Sequence, residues 1–169
     1  MKEKKKKIYM YSSIIVLIII DQIIKKIVEL NVYSLPLKII NNLFQISYFE
    51  NFGIAFGIGT GNLIIYIIGN IVIIGLIFKF IISQDQRLDY KDKFVLSLIL
   101  AGGISNLFDR IIRGYVVDYF EIINLFAFNI ADILIFIGII GFGVSSLKYM
   151  KSESSKKIIS KGENNWKNC

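Results

Sequence analysis

The sequence predicts a mainly α-helical membrane protein: a four-transmembrane-helix bundle with a small extracytoplasmic β-rich segment. Of its 169 residues, 54% are hydrophobic, and the mean hydropathy is +0.60, which is high for a soluble domain. The apolar residues are gathered into runs of about 20, the length that crosses a bilayer. The net charge of +7 comes from lysines outside these runs. They therefore indicate membrane flanks, and we expect no nucleic-acid partner.

Four apolar runs mark the predicted helices, at Ile8 to Val28, Leu63 to Ile82, Phe94 to Ile112 and about Ile122 to Met150, with the last entering the membrane near Phe128. The first run follows a lysine-rich start but lacks a small-x-small cleavage site, so we expect it to stay attached. Residues 1–150 form one predicted membrane domain. Residues 151–169, rich in Lys, Ser, Asn and Glu, are predicted to be a disordered basic cytoplasmic tail.

Lysine and arginine are distributed unequally between the segments that join the runs. They crowd the N-terminus, residues 87–93 and the C-terminal tail, whereas residues 29–61 hold only Lys38. Positive charge favours the cytoplasmic side. We therefore expect both termini to be cytoplasmic, and residues 29–61 and 114–120 to lie outside.

Short strands are predicted in these outer segments. Phe44, Ile46 and Tyr48 alternate with polar residues, and glycine-rich residues 51–61 follow. Residues 114–120 form a second strand-like piece. Within the third run, Gly102 and Gly103 predict a close approach of a neighbouring helix.

The absence of two residue types restricts the chemistry. The chain has no histidine, and its one cysteine is Cys169. Histidine-based serine triads, HExxH zinc sites and Cys/His thiol proteases are therefore excluded. We expect no metal and no cofactor, so that any catalysis comes from carboxylates, lysine or serine.

Acidic residues occur where the membrane makes them costly. A charged side chain at the bilayer centre costs about 2.5 to 3.5 kcal/mol, so such residues need a partner or a purpose. At a rise of 1.5 Å per residue, Asp21 and Asp109 both lie roughly 20 Å from the inner boundary of the hydrocarbon core. Asp132 falls within about two turns of the outer boundary. Three helices thus carry acids to the same level, in the outer third of the membrane.

The spacing of the polar residues predicts one polar stripe on each helix. Asn106 precedes Asp109 by three residues and Arg110 by four, Asn129 precedes Asp132 by three, and Asp21 precedes Lys25 by four. Asp118 lies on an apolar strand-like piece that could dock beside Asp132. Two close carboxylates in a low dielectric cannot both ionise easily, so one activates water while the other polarises a carbonyl. Asparagine and arginine donors would hold the acids or the developing charge.

Five segments then resemble the motifs of the lipoprotein signal peptidase family in the right order: Asp21–Lys25, Asn51–Gly57, Gly102–Arg110, Val116–Tyr119 and Phe128–Asp132. The resemblance implies that Asp118 and Asp132 are catalytic. It also implies site-shaping or substrate-binding roles for Asp21, Lys25, Asn51, Gly53, Asn106, Asp109, Arg110, Asn129 and Ala131. Ser105 stands where the family usually has glycine.

The resemblance implies an aspartic endopeptidase of the bacterial inner membrane, with its site near the outer face. Its substrates would be prolipoproteins whose cysteine carries diacylglycerol, cut on the amino side of that cysteine. The other expected partners are membrane lipids and the inhibitor globomycin, and we expect a monomer.

Several residues also have simpler interpretations. Asp118 could be a solvated loop carboxylate, Asp132 a helix cap, and Asp109 the partner of Arg110 in a structural ion pair. Asp21 and Lys25 could snorkel outward together. At the level of the whole chain, the alternatives are a small ion- or proton-coupled transporter and a noncatalytic assembly subunit. A relay would need acids at several depths, whereas the inner parts of the runs are apolar.

Overall fold

The computed structural model describes residues 2–41, 43–53, 62–84, 87–123 and 125–166. Four helices and four strands follow in the order α1 (Lys2–Leu30), β1 (Leu37–Ile40), β2 (Phe44–Asn51), α2 (Leu63–Ser83), α3 (Tyr90–Ile112), β3 (Val116–Ile122), β4 (Phe126–Phe128) and α4 (Ile130–Trp166). A short 3-10 turn, Val32–Ser34, separates α1 from β1. The prediction of a mainly helical chain with a small β segment is confirmed.

Helix α3 is the centre of the bundle, because α1, α2 and α4 all pack against it. A Cβ atom on Gly102 would lie 2.2 Å from the carbonyl oxygen of Ala131, so only glycine permits this contact. The close approach predicted for this glycine pair is therefore confirmed at Gly102. It brings the start of α4 directly onto the backbone of α3.

Three helices in the described part of the chain are long and apolar enough to cross a membrane: Leu63–Ser83, Tyr90–Ile112 and Ile130–Ser152. Most side chains of the first of these are exposed on the protein surface. An apolar surface of this kind suits contact with lipid. Helix α1 contains the first predicted run, packed along α3.

The four strands form one antiparallel sheet in the order β1-β2-β3-β4. The two predicted strands are present as β2 and β3, with Asn51 opposite Val116 and Phe49 opposite Asp118. The edge strands β1 and β4 were not predicted.

The fourth apolar run was predicted to begin at about Ile122 and to enter the membrane near Phe128. Helix α4 begins at Ile130, close to that point, whereas Ile122 ends β3 and Phe126–Phe128 form the strand β4. Phe126 and Phe128 pack against each other at 5.8 Å between ring centroids, and Phe128 packs against Phe120 at 5.6 Å. A short apolar run fits a buried strand as well as a helix, and only these tertiary contacts decide between them.

Helix α4 continues past Met150 to Trp166. The division of the chain into a membrane domain and a disordered tail at residue 150 stays a prediction. Extending an existing helix adds one hydrogen bond per residue, without the cost of a new nucleus, and the chain's one proline, Pro36, lies far away. Residues 54–61, which include most of the predicted glycine turns, and residues 167–169 lie outside the described residues.

Candidate active site

Asp118 lies in the middle of β3 and is only 2% exposed. Its Oδ1 accepts a hydrogen bond of 2.7 Å from the side-chain amide of Asn129, and its Oδ2 accepts one of 2.8 Å from the amide of Asn51. Asn51 ends the neighbouring strand, so the β2–β3 pairing brings it to the carboxylate. The interpretation of Asp118 as a solvated loop residue is therefore wrong.

Asp132 lies in the first turn of α4 and forms a reciprocal cap with Asn129. The backbone amide of Asp132 donates to Asn129 Oδ1 at 2.9 Å, and Asp132 Oδ2 accepts from the backbone amide of Asn129 at 3.2 Å. This is a capping box, which satisfies two unpaired amides at a helix start. The second oxygen of Asp132 accepts a bond of 2.9 Å from Asn106. Asp132 therefore caps its own helix and also binds Asn106 on α3.

Asn129 joins the two carboxylates. It is fully buried, and its side-chain amide donates to Asp118 Oδ1 and also to Asn106 Oδ1 at 3.2 Å. Its side-chain oxygen accepts from the backbone amide of Asp132, and its own backbone amide donates to Asp132 Oδ2. All side-chain donors to the pair are neutral amides. Among the described residues, no lysine or arginine forms an ion pair with either carboxylate.

This environment changes the acidity of Asp118. Burial, followed by the negative charge of Asp132, raises the pKa of its carboxyl group from 3.8 to about 7, against the opposing effects of Asn51, Lys25 and Asn129. A pKa near neutrality lets Asp118 exist in either protonation state at physiological pH. General acid–base chemistry on a carbonyl compound uses groups with a pKa in this range.

A second set of aspartates lies beside the pair, and these aspartates are bound by cations. Lys25 Nζ lies 2.8 Å from Asp21 Oδ2 and 2.8 Å from Asp109 Oδ2, and all three side chains are fully buried. Arg113 binds the other oxygen of Asp109 at 2.5 Å. We call Asp21, Lys25, Asp109 and Arg113 the charge network. Two earlier interpretations are therefore wrong: Asp109 does not pair with Arg110, and the Asp21–Lys25 pair does not snorkel outward.

The charge network holds the elements that carry the pair. Asp21 Oδ1 accepts hydrogen bonds from the backbone amide of Ala131 at 3.3 Å and from the hydroxyl of Tyr119 at 3.4 Å. Asp109 Oδ2 accepts one from the backbone amide of Val117 at 3.3 Å. The start of α4 and the strand bearing Asp118 are thus both fixed to α1 and α3.

Arg110 connects α3 to the segment that follows β2. Its guanidinium donates to the carbonyl oxygen of Gly53 at 2.9 Å and to that of Asn106 at 3.3 Å. The amide of Gly53 in turn donates to Asn51 Oδ1 at 2.9 Å. Arg110 therefore fastens the segment after β2 to α3, which keeps Asn51 beside Asp118.

A cavity of about 380 Å³ adjoins the pair between α2, α3 and α4. Its polar side contains Asp132, Asn106 and Arg110, and its other residues are Ile65, Tyr66, Gly69, Asn70, Ile73, Gly103 and Ile135. A concave space with apolar walls and a few converging polar groups is typical of a ligand site.

The structure brings the predicted site residues together and adds several neighbours that sequence reasoning missed. All nine predicted site-shaping residues contact one another or the pair through the bonds described above. The missed residues are Asn70, Arg113, Tyr119 and Gln22, whose side-chain amide donates to Asp109 Oδ1 at 2.9 Å. Asn70, which donates to the Gly103 carbonyl at 3.3 Å, could have been found, because it is a lone amide in a run of apolar residues.

The fold and the site together define a class: an integral membrane protein with a carboxylate pair, one buried and one half-buried, near one end of its helices. The family model for signal peptidase (SPase) II matches residues 13–148. The chain is 34% identical over 155 residues to a lipoprotein signal peptidase of Halalkalibacterium halodurans, covering 87% of this chain and 95% of the relative. It is 31% identical over 163 residues to that of Staphylococcus aureus (strain JH9), covering 90% and 98%.

A solved structure agrees with these relatives. A bacterial membrane enzyme determined by the in meso method superposes with a TM-score of 0.75 and 26% sequence identity, over 85% of this chain and 90% of that one. The chain belongs to the signal peptidase II family. It is an aspartic-type peptidase of a bacterial membrane that removes signal peptides from prolipoproteins.

Proposed function

We propose that Asp118 and Asp132 are the catalytic residues, and that cleavage falls on the amino side of a diacylglyceryl-modified cysteine. The observation that carries this proposal is the bridge through Asn129, whose side-chain amide donates to Asp118 Oδ1 and whose backbone amide donates to Asp132 Oδ2. Neutral amides hold the two groups without neutralising them. The raised pKa of Asp118 supports a pair that shares one proton.

The proposed reaction is hydrolysis by general acid–base catalysis. The ionised carboxylate takes a proton from a water molecule, whose oxygen attacks the scissile carbonyl carbon, while the protonated carboxyl group donates a hydrogen bond to the carbonyl oxygen. Collapse of the tetrahedral intermediate transfers a proton to the leaving amine. The products are the free signal peptide and a lipoprotein with a new amino terminus at its cysteine.

The membrane arrangement is part of the same proposal. Helix α1 forms the fourth span, both termini are cytoplasmic, and the site lies near the outer face of the inner membrane. This is supported by the lysine distribution and by the packing of α1 along α3. A site at that level suits a cysteine whose acyl chains remain in the bilayer. We further propose that the protein works as a monomer among membrane lipids and is inhibited by globomycin.

Isosteric substitution tests the catalytic pair. We expect Asp118→Asn and Asp132→Asn each to reduce processing of a lipid-modified prolipoprotein reporter by at least about 100-fold, because an amide can neither accept nor deliver the shared proton. The matched control is Glu121→Gln. Glu121 is another acid on β3, and it accepts hydrogen bonds from Gln45 and Ser47 instead of joining the pair.

The two carboxylates are not catalytic if either Asn variant is inserted at wild-type levels and still processes the reporter. Loss of activity in Glu121→Gln to the same extent would also contradict the proposal, since it would indicate a general effect of acid removal from the sheet. A transporter has no support in the described residues, because α3 carries no acid between Phe94 and Ser105.

A further inference from the structure

A second cavity, of about 600 Å³, lies at the end of the bundle opposite the carboxylate pair. It is formed by the segment before α3, the first turns of α3 and the middle of α4. Its lining residues are Arg87, Asp89, Lys91, Asp92, Val95, Gly141, Val144, Ser145, Lys148 and Tyr149. We call this space the basal cavity.

Each of the two acids that line the basal cavity accepts a hydrogen bond from another group of the protein. Asp89 Oδ1 accepts the backbone amide of Asp92 at 2.8 Å and so caps α3. Asp92 Oδ1 accepts the hydroxyl of Ser145, which joins α3 to α4. Both interactions join parts of the chain, although Asp89 itself is exposed.

The three cations are not used in this way. Arg87, Lys91 and Lys148 are exposed, and none of them forms an ion pair with a described residue. Three cations and two acids leave the lining with a formal charge of +1. The amino-terminal end of α3 adds its partial positive charge at the same place. The basal cavity therefore offers unused donors and a positive potential to an anion.

The other side of the lining is apolar and belongs to the membrane. Val95 and Val144 lie within the spans Tyr90–Ile112 and Ile130–Ser152, which pack together here. A Cβ atom on Gly141 would lie 2.8 Å from Val95 Cγ1, so the two helices are in direct contact beneath the cavity. A ligand that fills the basal cavity contacts cations on one side and the aliphatic side chains of Val95 and Val144 on the other.

We propose that the basal cavity binds the headgroup of an anionic phospholipid, with the phosphate at Arg87, Lys91 and Lys148 and the first carbons of an acyl chain along Val95 and Val144. Free phosphate shares the anionic chemistry, but it would leave the apolar side of the cavity unused. Basic pockets between membrane helices are suited to such headgroups. This inference is independent of the proposed catalytic pair.

Native mass spectrometry of the full chain in neutral detergent tests the proposal, with phosphatidylglycerol and phosphatidylcholine as probes. We expect saturable binding of phosphatidylglycerol, about fivefold weaker after Arg87→Gln, Lys91→Gln or Lys148→Gln, since each charge near a surface contributes about 1 kcal/mol. Val144→Trp should also weaken binding, because it fills the cavity and changes no charge. The matched control is Lys79→Gln, an exposed lysine at the same end of α2 that does not line the cavity.

Three results would overturn the proposal. Equal weakening by Lys79→Gln would indicate attraction to overall charge, and equal binding of phosphatidylcholine would remove the role of the anion. Displacement of phosphatidylglycerol by inorganic phosphate, with no effect of Val144→Trp, would indicate a phosphate site and not a lipid site.

Discussion

Two groups of aspartates lie side by side in this protein, and they are held by opposite means. In the charge network, Asp21 and Asp109 share Lys25 and are completed by Arg113, so two negative and two positive groups cancel. In the carboxylate pair, the described side chains that donate to Asp118 and Asp132 are neutral amides. The same residue type is therefore held by ion pairs in one group and by neutral hydrogen-bond donors in the other.

The difference follows from the requirements of the two tasks. A buried carboxylate beside a cation is stabilised in its ionised form, which suits an anchor. A carboxylate that must exchange protons needs a pKa near the working pH, and a cation in hydrogen-bonding contact would lower that pKa. Amides position the carboxylate oxygens without adding a positive charge. Asn51, Asn106 and Asn129 are therefore suited to the pair in a way that lysine is not.

Removing the central cation should have the largest effect. Lys25→Met would leave Asp21 and Asp109 buried without their shared ammonium group, and we expect the free energy of unfolding to fall by about 3 to 5 kcal/mol. Denaturant unfolding in detergent measures the change. The control is Lys26→Met, one residue away, where an exposed lysine pairs with Glu29 at 3.2 Å and the expected loss is under about 1 kcal/mol. Equal losses in the two variants would contradict the assignment of the charge network.

Adding a cation to the pair should make it resemble the charge network. In Asn51→Lys, a positive group replaces the amide that binds Asp118 Oδ2, so the pKa of Asp118 should fall and processing should drop by about 100-fold or more at neutral pH. In the proposed mechanism activity requires the shared proton, so the decline of activity at high pH should move to lower pH. Asn51→Met is the uncharged control of similar length. An unshifted pH profile in the lysine variant would argue against a shared proton.

A smaller effect concerns stability as a function of pH. The pKa of Asp118 is raised from 3.8 to about 7 in the folded protein, so the folded state binds its proton more tightly than the unfolded state does. Wild-type stability should therefore fall as the pH rises from about 4 to about 7, by at most about 1.4 kcal/mol per pKa unit. Asp118→Asn should lack this decline when melting temperatures are compared at both ends of the range. A parallel decline in the variant would assign the effect to another group.

The smallest expected effect concerns Ser105, which lies on α3. Its hydroxyl donates to Asp21 Oδ2 at 2.6 Å, in a fully buried position. We expect Ser105→Ala to cost about 1 to 2 kcal/mol in thermal or denaturant unfolding, because the bond is to a charged group. Ser97→Ala is the control, since Ser97 is equally buried in α3 but donates only to the Phe94 carbonyl of its own helix. Equal losses would mean that Ser105 adds nothing to the charge network.

Much of the fold could be predicted because it is local. Apolar length predicted α2 and α3 to within a few residues, and alternation predicted β2 and β3. The edge strand β4 could not be predicted, because Phe126 and Phe128 are as compatible with a membrane helix as with a strand. Their contacts with each other and with Phe120 decide the matter, and these exist only after β3 is in place.

The candidate site shows the same distinction between local pattern and tertiary contact. The sequence by itself determined which polar residues lie at one level of the helix bundle, because helix rise and spacing fix the position and face of each residue along its helix. Only the tertiary structure decided which acid meets which partner. Asp109 is adjacent to Arg110 in sequence, but it faces Lys25 on another helix and Arg113 one turn away. Asn129 reaches Asp118 because Gly102 lets α4 start against α3. Partners across elements depend on how the helices pack, which no local spacing specifies.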